Sequence, residues 1–420
     1  MDCNNFYVSC ERVFKPYLAD VPVAVLSNND GCIIARSHEV KKLGIPMGAP
    51  MFEYKEVIAR QHIRLFSANF TLYGDMSQRV MEILSDFTPS LEVYSIDEAF
   101  MDLSNQKIPD WDEFIKQVRS TVLQWTGIPV SIGLGSTKTL AKIANKIAKK
   151  NPATGGTFSL LGRDDPDYYL DQVEVGDIWG VGRQYTKYLN SLGIFTARDL
   201  KYAQPYSVKK HMTVMGERTQ LELNGVSCIP LQPLPKRKKM IASTRSFGHY
   251  QESLDNIANA VAYFCNEIGE KLRQDHSKAV FMQVFILTNL YNKSHRQYHK
   301  SITIKMFEPT SYTPDLIYYA VEGLKRIYRS GYKYKKAGVL ALGIIPESEL
   351  QYDLIGIYDP YREQRQAAAM RVVDRINRSM NRGTVKFAAE GVDRTKWWMN
   401  QTMKSRRFTT KWEELLEIKV

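Results

Sequence analysis

The spacing of apolar positions changes period several times along the chain, and those changes divide it into segments. Cys3–Val13 and Val21–Leu26 are dense in β-formers and predict extended structure near the N-terminus. Asn28-Asn29-Asp30-Gly31 then marks a tight turn, with Cys32-Ile33-Ile34-Ala35 as the returning strand. Helical spacing at Met76, Val80, Ile83 and Leu84 predicts a helix over Tyr73–Phe87. Leu91–Leu103 reads as a hairpin, with Val93-Tyr94-Ser95 and Ala99-Phe100-Met101 flanking Ile96-Asp97-Glu98. Trp111–Trp125 is a predicted helix and Val130–Leu134 an apolar strand. Ser136 is placed to cap the next helix, Thr137–Lys150, whose apolar face is Leu140, Ala141, Ile143, Ala144 and Ile147.

From Asp164 to about Gly225 the pattern turns helical with short glycine turns, and Ile229-Pro230 to Pro235 reads as a linker. A second mixed unit follows over about Ile241–Pro346. Its strands are expected at Ser243–Phe247, Ala279–Thr288, Ser301–Met306 and Ala337–Ile344, and its helices at Leu254–Arg273 and Pro314–Arg329. The remainder, 347–420, is a helix-rich basic tail. Strands and helices alternate without a GxGxxG or GxxxxGK[ST] phosphate loop, so an α+β architecture with helices on one face of a sheet is expected. A length of 420 residues predicts several domains rather than one core.

Charge sharpens this picture. The net charge is +12, and it is concentrated. Lys201–Tyr250 holds nine Lys/Arg against two Asp/Glu, including Lys236-Arg237-Lys238-Lys239, and Tyr361–Lys411 holds thirteen against four. Isolated charge runs usually just face water, but two such stretches point to a polyanionic partner, nucleic acid ahead of an anionic membrane. No apolar run is long enough to span a bilayer and the N-terminus lacks signal-peptide character, so a cytoplasmic protein is expected. The five cysteines form no CxxC pair or zinc-type cluster, which argues against a disulfide framework or a zinc site.

Among candidate chemistry, Asp97-Glu98 at a hairpin turn is by itself an ordinary solvated acidic pair. Together with Asp2 on an N-terminal strand it becomes a set of hard oxygen ligands from rigid elements distant in sequence. Two-metal nucleotidyl transfer requires such a set.

The flanking text gives this reading its weight. Asp2-Cys3-Asn4-Asn5-Phe6-Tyr7-Val8-Ser9-Cys10-Glu11 and Ser95-Ile96-Asp97-Glu98-Ala99-Phe100 resemble the two metal-binding motifs of the Y-family translesion DNA polymerases. Val25-Leu26-Ser27-Asn28-Asn29-Asp30-Gly31-Cys32 is similar to the signature of the UmuC subgroup, the catalytic subunits of bacterial DNA polymerase V. The likeness continues to Gly383-Thr384-Val385-Lys386-Phe387-Ala388 and Arg406-Arg407-Phe408-Thr409-Thr410.

The resemblance implies a right-hand polymerase: a palm from 1–12 and 68–163, fingers over 13–67, a helical thumb over 164–229, a basic linker over 230–240, a little finger over 241–346 and a partner-interaction tail over 347–420. It implies that Asp2, Asp97, Glu98 and the Cys3 carbonyl hold two Mg2+ ions, with Asp97 and Glu98 as the catalytic pair. Phe6 and Tyr7 would contact the nucleotide, Tyr7 as a steric gate against the 2′-hydroxyl, while His38, Lys41 and Lys149 would meet the triphosphate. On the residues alone, Lys149 is an ordinary solvated helix position like Lys138, Lys142 and Lys146.

Val175-Gly176-Asp177-Ile178-Trp179-Gly180-Val181-Gly182 reads as a helix-hairpin-helix, whose Gly180-Val181-Gly182 amides would grip a DNA phosphate. Lys236, Arg237, Lys238 and Lys239 would track the duplex. The implied partners are primer-template DNA, dNTPs, a processed UmuD-like dimer, RecA and, through Gln351–Ile355, a sliding clamp. The tail residues Trp397, Trp398, Arg406, Arg407 and Phe408 would serve docking. Relatives carry several residues before the first Asp where here there is only Met1, so a short first strand, or a start placed downstream of the natural one, is expected. Two other readings are a non-catalytic DNA-binding scaffold that keeps the fold and a two-metal nuclease; the nuclease has no use for a sugar gate at Tyr7.

Overall fold

A computed structural model describes residues 1–234, 237–349, 359–380, 383–393 and 397–417. The chain divides into two compact units: Met1–Ser27, Gly31–Pro235 and Met403–Val420 form the first, Asn28–Asp30 and Lys236–Thr402 the second. Among the described residues no helix is long and apolar enough to cross a membrane, and all five cysteines are free.

The first unit is built on small sheets. Strands β1 (Asp2–Cys3), β2 (Val23–Leu26), β3 (Ile33–Arg36), β4 (Arg64–Ser67), β5 (Leu91–Val93), β6 (Ala99–Met101), β7 (Val130–Leu134) and β8 (Thr157–Ser159) fall into three groups. These are a sheet ordered β1-β7-β8, a sheet ordered β3-β2-β4, and the hairpin β5-β6. Cys3, Phe6, Val8, Cys10, Tyr73, Val80, Leu84, Val118 and Val130 close one core between the helices and β1-β7.

The extended reading of Cys3–Val13 is corrected: only Asp2–Cys3 is strand, and Phe6–Val13 is a helix. Asn5 makes the change of direction, with φ 48°, a left-handed conformation that asparagine tolerates better than most residues. Beyond it the β-branched and aromatic residues serve packing, and Phe6, Val8, Ser9, Cys10 and Glu11 are all buried. Tertiary burial overrides local propensity here.

The helix Lys138–Lys150 lies close over β7, because a side chain at Gly133 would put its Cβ 2.0 Å from the Asn145 amide nitrogen. Thr137, not Ser136, caps it, accepting a hydrogen bond from the Leu140 amide. Beyond β8 the unit is helical, with Pro166–Asp171, Arg183–Ser191, Ala197–Tyr202 and Pro205–Leu223.

In the second unit, β9 (Met240–Gln251), β10 (Ser277–Thr288), β11 (His299–Thr310) and β12 (Tyr334–Pro346) form an antiparallel sheet ordered β11-β10-β12-β9. The helices Leu254–Gln274 and Thr313–Ile327 pack on it through Phe264, Ile268, Leu316, Ala320 and Leu324. Strands and helices are centred where the apolar periodicity predicts, but β9 and β11 each run to 12 residues, well past the expected Ser243–Phe247 and Ser301–Met306.

Two tail residues expected to dock partners are structural instead. Trp397 is fully buried in the core of the second unit. Phe408 is buried in the first unit, stacked on Phe14 with ring centroids 4.7 Å apart. Removing a buried aromatic ring costs about 3–5 kcal/mol. Trp397→Ala is therefore expected to lower the calorimetric transition of the second unit and Phe408→Ala that of the first. An unchanged transition in either variant would place that ring outside the core.

Candidate active site

The site begins with backbone pairing. β1 is two residues long, yet it is held on both edges. Asp2 and Cys3 pair antiparallel with Ser131 and Val130 of β7. On the other side the Cys3 amide donates to the Asp97 carbonyl at 2.8 Å, and Asp2 and Glu98 form an antiparallel bridge. The Ala99 amide donates to the Met1 carbonyl at 3.1 Å, closing the pair one residue further along. The hairpin turn and the N-terminal strand thus bring Asp2, Asp97 and Glu98 to one end of the sheet.

Each carboxylate has a defined partner. Lys149 reaches Asp2 at 2.5 Å and Lys142 reaches Glu98 at 2.7 Å. The Ser95 hydroxyl donates to Asp97 Oδ1 at 2.6 Å. Burial pushes the Asp2 carboxyl up to about 6; Lys149 opposes the shift and the nearby Glu98 charge adds to it. Burial also works against the Glu98 carboxylate, but the hydrogen bond and charge of Lys142 outweigh it and hold this group below the usual carboxylate range.

Among the described residues no three acidic, histidine or cysteine side chains already stand as a metal cage. The donor type, carboxylate oxygen, is the one a hard divalent ion takes, and the Lys149 and Lys142 ammonium groups balance the Asp2 and Glu98 charges. Cys3 could contribute only through its carbonyl, because burial drives its thiol far above the range in which a thiolate forms.

The two lysines come from one helix face. Lys142, Lys146 and Lys149 follow i, i+4, i+7 spacing. The middle one pairs with Asp177, so the stripe expected to be solvated is committed to acids along its length. Lys142 is the partner of Glu98 that the sequence did not single out. Its ammonium lies 4.6 Å from the centroid of the Tyr94 ring and 5.6 Å from those of Phe100 and Trp179. Trp179 Nε1 in turn donates to the Tyr94 hydroxyl at 3.1 Å. An aromatic cage favours a cation electrostatically and fixes where it sits. The i+7 relation to Lys149 was legible; that this face looks toward the carboxylates was not. A cleft of about 520 Å³ opens beside them, lined by Asp2, Glu98, Phe100, Lys142, Lys149 and Trp179 among others.

The aromatic pair divides as its periodicity allows. Phe6 turns into the core and is 3% exposed, so it has no face left for a nucleotide. Tyr7 is half-buried and stacks on Tyr73, centroids 4.6 Å apart and planes 15° from parallel, with Phe70 edge-on at 5.9 Å. Burial raises the Tyr7 hydroxyl pKa, and the Asp97 charge adds to the shift.

Lys41 donates to Asn5 Oδ1 at 2.5 Å, and burial with the charges of Arg36 and Lys149 lowers its pKa. Arg36 is a second cation the sequence did not flag. His38 is exposed at the start of the helix His38–Lys42.

Elsewhere Gly180 has φ 90° and Gly182 caps the helix Arg183–Ser191 without a side-chain hydrogen bond. Val181 is buried. Arg237 and Lys238 pair with Glu349 and Asp275 in the second unit. Lys236 and the segment Gln351–Ile355 lie outside the described residues.

Known proteins resolve what this arrangement belongs to. Residues 1–146 match the impB/mucB/samB family and residues 238–354 match that family's C-terminal domain. Protein UmuC of Salmonella typhimurium is 40% identical over all of this chain and 99% of its own length. The chain belongs to the impB/mucB/samB family and is a UmuC-type Y-family DNA polymerase. Protein MucB of Escherichia coli is 37% identical over 99% of this chain and 98% of its own length. A chimera of the Y-family polymerases Dbh and Dpo4 shares the fold, with a TM-score of 0.66 at 21% identity over 82% of this chain and 98% of the chimera. Residues 367–418 also match a domain of unknown function, DUF4113.

In this polymerase site, replacing Lys142 by Met removes what holds Glu98 in its ionised form. The Glu98 pKa should then rise, and the acidic limb of the pH–activity profile should move to higher pH. An unmoved limb would show that Lys142 does not set the charge of Glu98.

Proposed function

We propose that this chain is the catalytic subunit of an error-prone polymerase that copies damaged templates in the bacterial SOS response. The observation that carries the mechanism is the backbone pairing that gathers Asp2, Asp97 and Glu98 beside Tyr7 and the cations Lys149 and Lys41. The primer 3′-hydroxyl attacks the α-phosphorus of a dNTP, the new P–O bond forms and pyrophosphate leaves. Asp2, Asp97, Glu98 and the Cys3 carbonyl would hold two Mg2+ ions. When bound, such ions lower the barrier by stabilising the entering and leaving oxygens.

The chain's own residues orient the substrate. Tyr7 presents a ring edge where a ribose 2′-hydroxyl would lie, so it excludes ribonucleotides by shape. Lys149 and Lys41 supply the positive side for the triphosphate, with His38 as a polar contact, and a lysine there acts as a point charge rather than a fork. The Gly180–Gly182 turn would offer the Gly180 and Gly182 amides to a DNA phosphate, the Val181 amide being taken by the Ile178 carbonyl at 3.0 Å, and the Lys236–Lys239 run with the second unit follows the duplex without reading sequence. A processed UmuD-like dimer and RecA are the proposed activating partners, and Gln351–Ile355 the proposed clamp-binding segment. The working site is the cytoplasm, on the nucleoid when active, with no membrane partner.

Primer extension with Mg2+, the processed dimer, RecA and ATP on undamaged and abasic templates tests the reading. Extension past the lesion is expected, and Asp97→Ala or Glu98→Ala should reduce it by about a hundred- to a thousandfold, as loss of a preorganised electrostatic group does. Wild-type protein that binds DNA but extends nothing would leave the non-catalytic scaffold as the better account. Affinity for primer-template should also fall log-linearly with salt, by about 0.9 in slope per phosphate neutralised on duplex; a flat response would remove the electrostatic grip.

A further inference from the structure

The helix that carries Tyr7 also carries Glu11, one turn later on the same face. Glu11 is fully buried. Its Oε1 accepts two hydroxyls: Tyr73 Oη at 2.8 Å and Ser405 Oγ at 2.8 Å. Its Oε2 has no hydrogen-bond partner among the described residues. Tyr73 is itself buried and is the residue whose ring stacks on Tyr7. A continuous set of contacts therefore runs from Ser405 through Glu11 and Tyr73 to Tyr7.

Ser405 is firmly seated. The Ser67 amide donates to the Met403 carbonyl at 3.0 Å, and the Met403 amide donates to Ser67 Oγ at 3.0 Å. Asn69 Nδ2 reaches the Ser405 carbonyl at 3.1 Å, Ser405 Oγ at 3.0 Å and the Arg406 carbonyl at 3.2 Å. Ser405 Oγ thus accepts from Asn69 while donating to Glu11, which fixes its polarity. Phe408, stacked on Phe14, pins the chain three residues further on.

We propose that the stretch around Ser405, within the domain of unknown function, is part of the nucleotide pocket's scaffold and sets sugar selectivity. Ser405 is a positioning residue: through Glu11 and Tyr73 it holds the Tyr7 ring at the depth that excludes a 2′-hydroxyl. A buried carboxylate that loses one of two donors turns toward another partner. Tyr73, bonded to the same oxygen, moves with it, and the stacked gate follows. Steric exclusion is sensitive to shifts of a fraction of an ångström. The inference rests on the reading of Tyr7 as the sugar gate.

The test is the ratio of kcat/KM for a dNTP to that for the matching rNTP, measured in the activated complex. Four variants are compared with wild type: Tyr7→Ala, Ser405→Ala, Ser405→Thr and Tyr73→Phe. Tyr7→Ala should collapse the ratio. Ser405→Ala and Tyr73→Phe should each lower it by about three- to tenfold, the scale of one hydrogen bond, and Ser405→Thr, which keeps the hydroxyl, should restore it. If Tyr7→Ala leaves the ratio unchanged, the gate reading itself fails. If Tyr7→Ala collapses it while Ser405→Ala and Tyr73→Phe do not move it, the positioning role is overturned and the gate stands. Equal loss of dNTP and rNTP efficiency in Ser405→Ala, or no difference between its Ala and Thr variants, reduces Ser405 to a structural residue and likewise overturns the proposal.

Discussion

Like charges resist being gathered. Two carboxylates 4 Å apart in surroundings of effective dielectric 20 repel by about 4 kcal/mol, and burial adds to the cost of each. The structure meets this constraint with one helix. Lys142 and Lys149 stand on the same face of Lys138–Lys150 and deliver their ammonium groups to Glu98 and Asp2. The close approach of that helix to β7 at Gly133 makes the reach possible. The compensation is unequal. Asp2 remains pushed up to about 6, whereas Glu98 is held low.

Much of this architecture was legible in the sequence. The helix Trp111–Thr126, the strand Val130–Leu134 and the whole second sheet fall where apolar periodicity puts them. The helix buries one face, which leaves a regular imprint, and Val130–Leu134, buried at three consecutive positions, reads as a short apolar run. Phe6–Val13 did not, because its β-formers are shared between the buried and half-buried sides of a helix. Propensity cannot distinguish those two uses of an aromatic residue. The Thr137 cap was missed by a single position for a simpler reason: Ser136 and Thr137 are chemically equivalent at that boundary.

The site was legible as chemistry but not as geometry. The motifs nominated Asp2, Asp97, Glu98, Tyr7 and Lys149, and the fold brings all five to one region. They also nominated Phe6, whose ring belongs to the core. Lys142 carried no signal of its own, since one more lysine on a basic helix reads as solvated surface. Its role depends on Tyr94, Phe100 and Trp179, which are dispersed over many residues and meet only in the folded chain. Clusters assembled from distant single residues leave little local pattern to read.

The C-terminal segment is the furthest departure from expectation, and its physics explains why. A basic stretch with tryptophans and arginines has the composition of a docking tail. Composition is indifferent to where a chain returns, however, and this one returns to the first unit at Met403 and inserts Phe408 into its core. Ser405 then meets Glu11, a residue 394 positions earlier. A buried carboxylate on the helix Phe6–Val13 needs donors from elsewhere, and one of the two it has is Ser405. The N-terminal motifs are thus not self-sufficient: the helix that carries Tyr7 is completed by a segment that no local reading of either terminus would join to it.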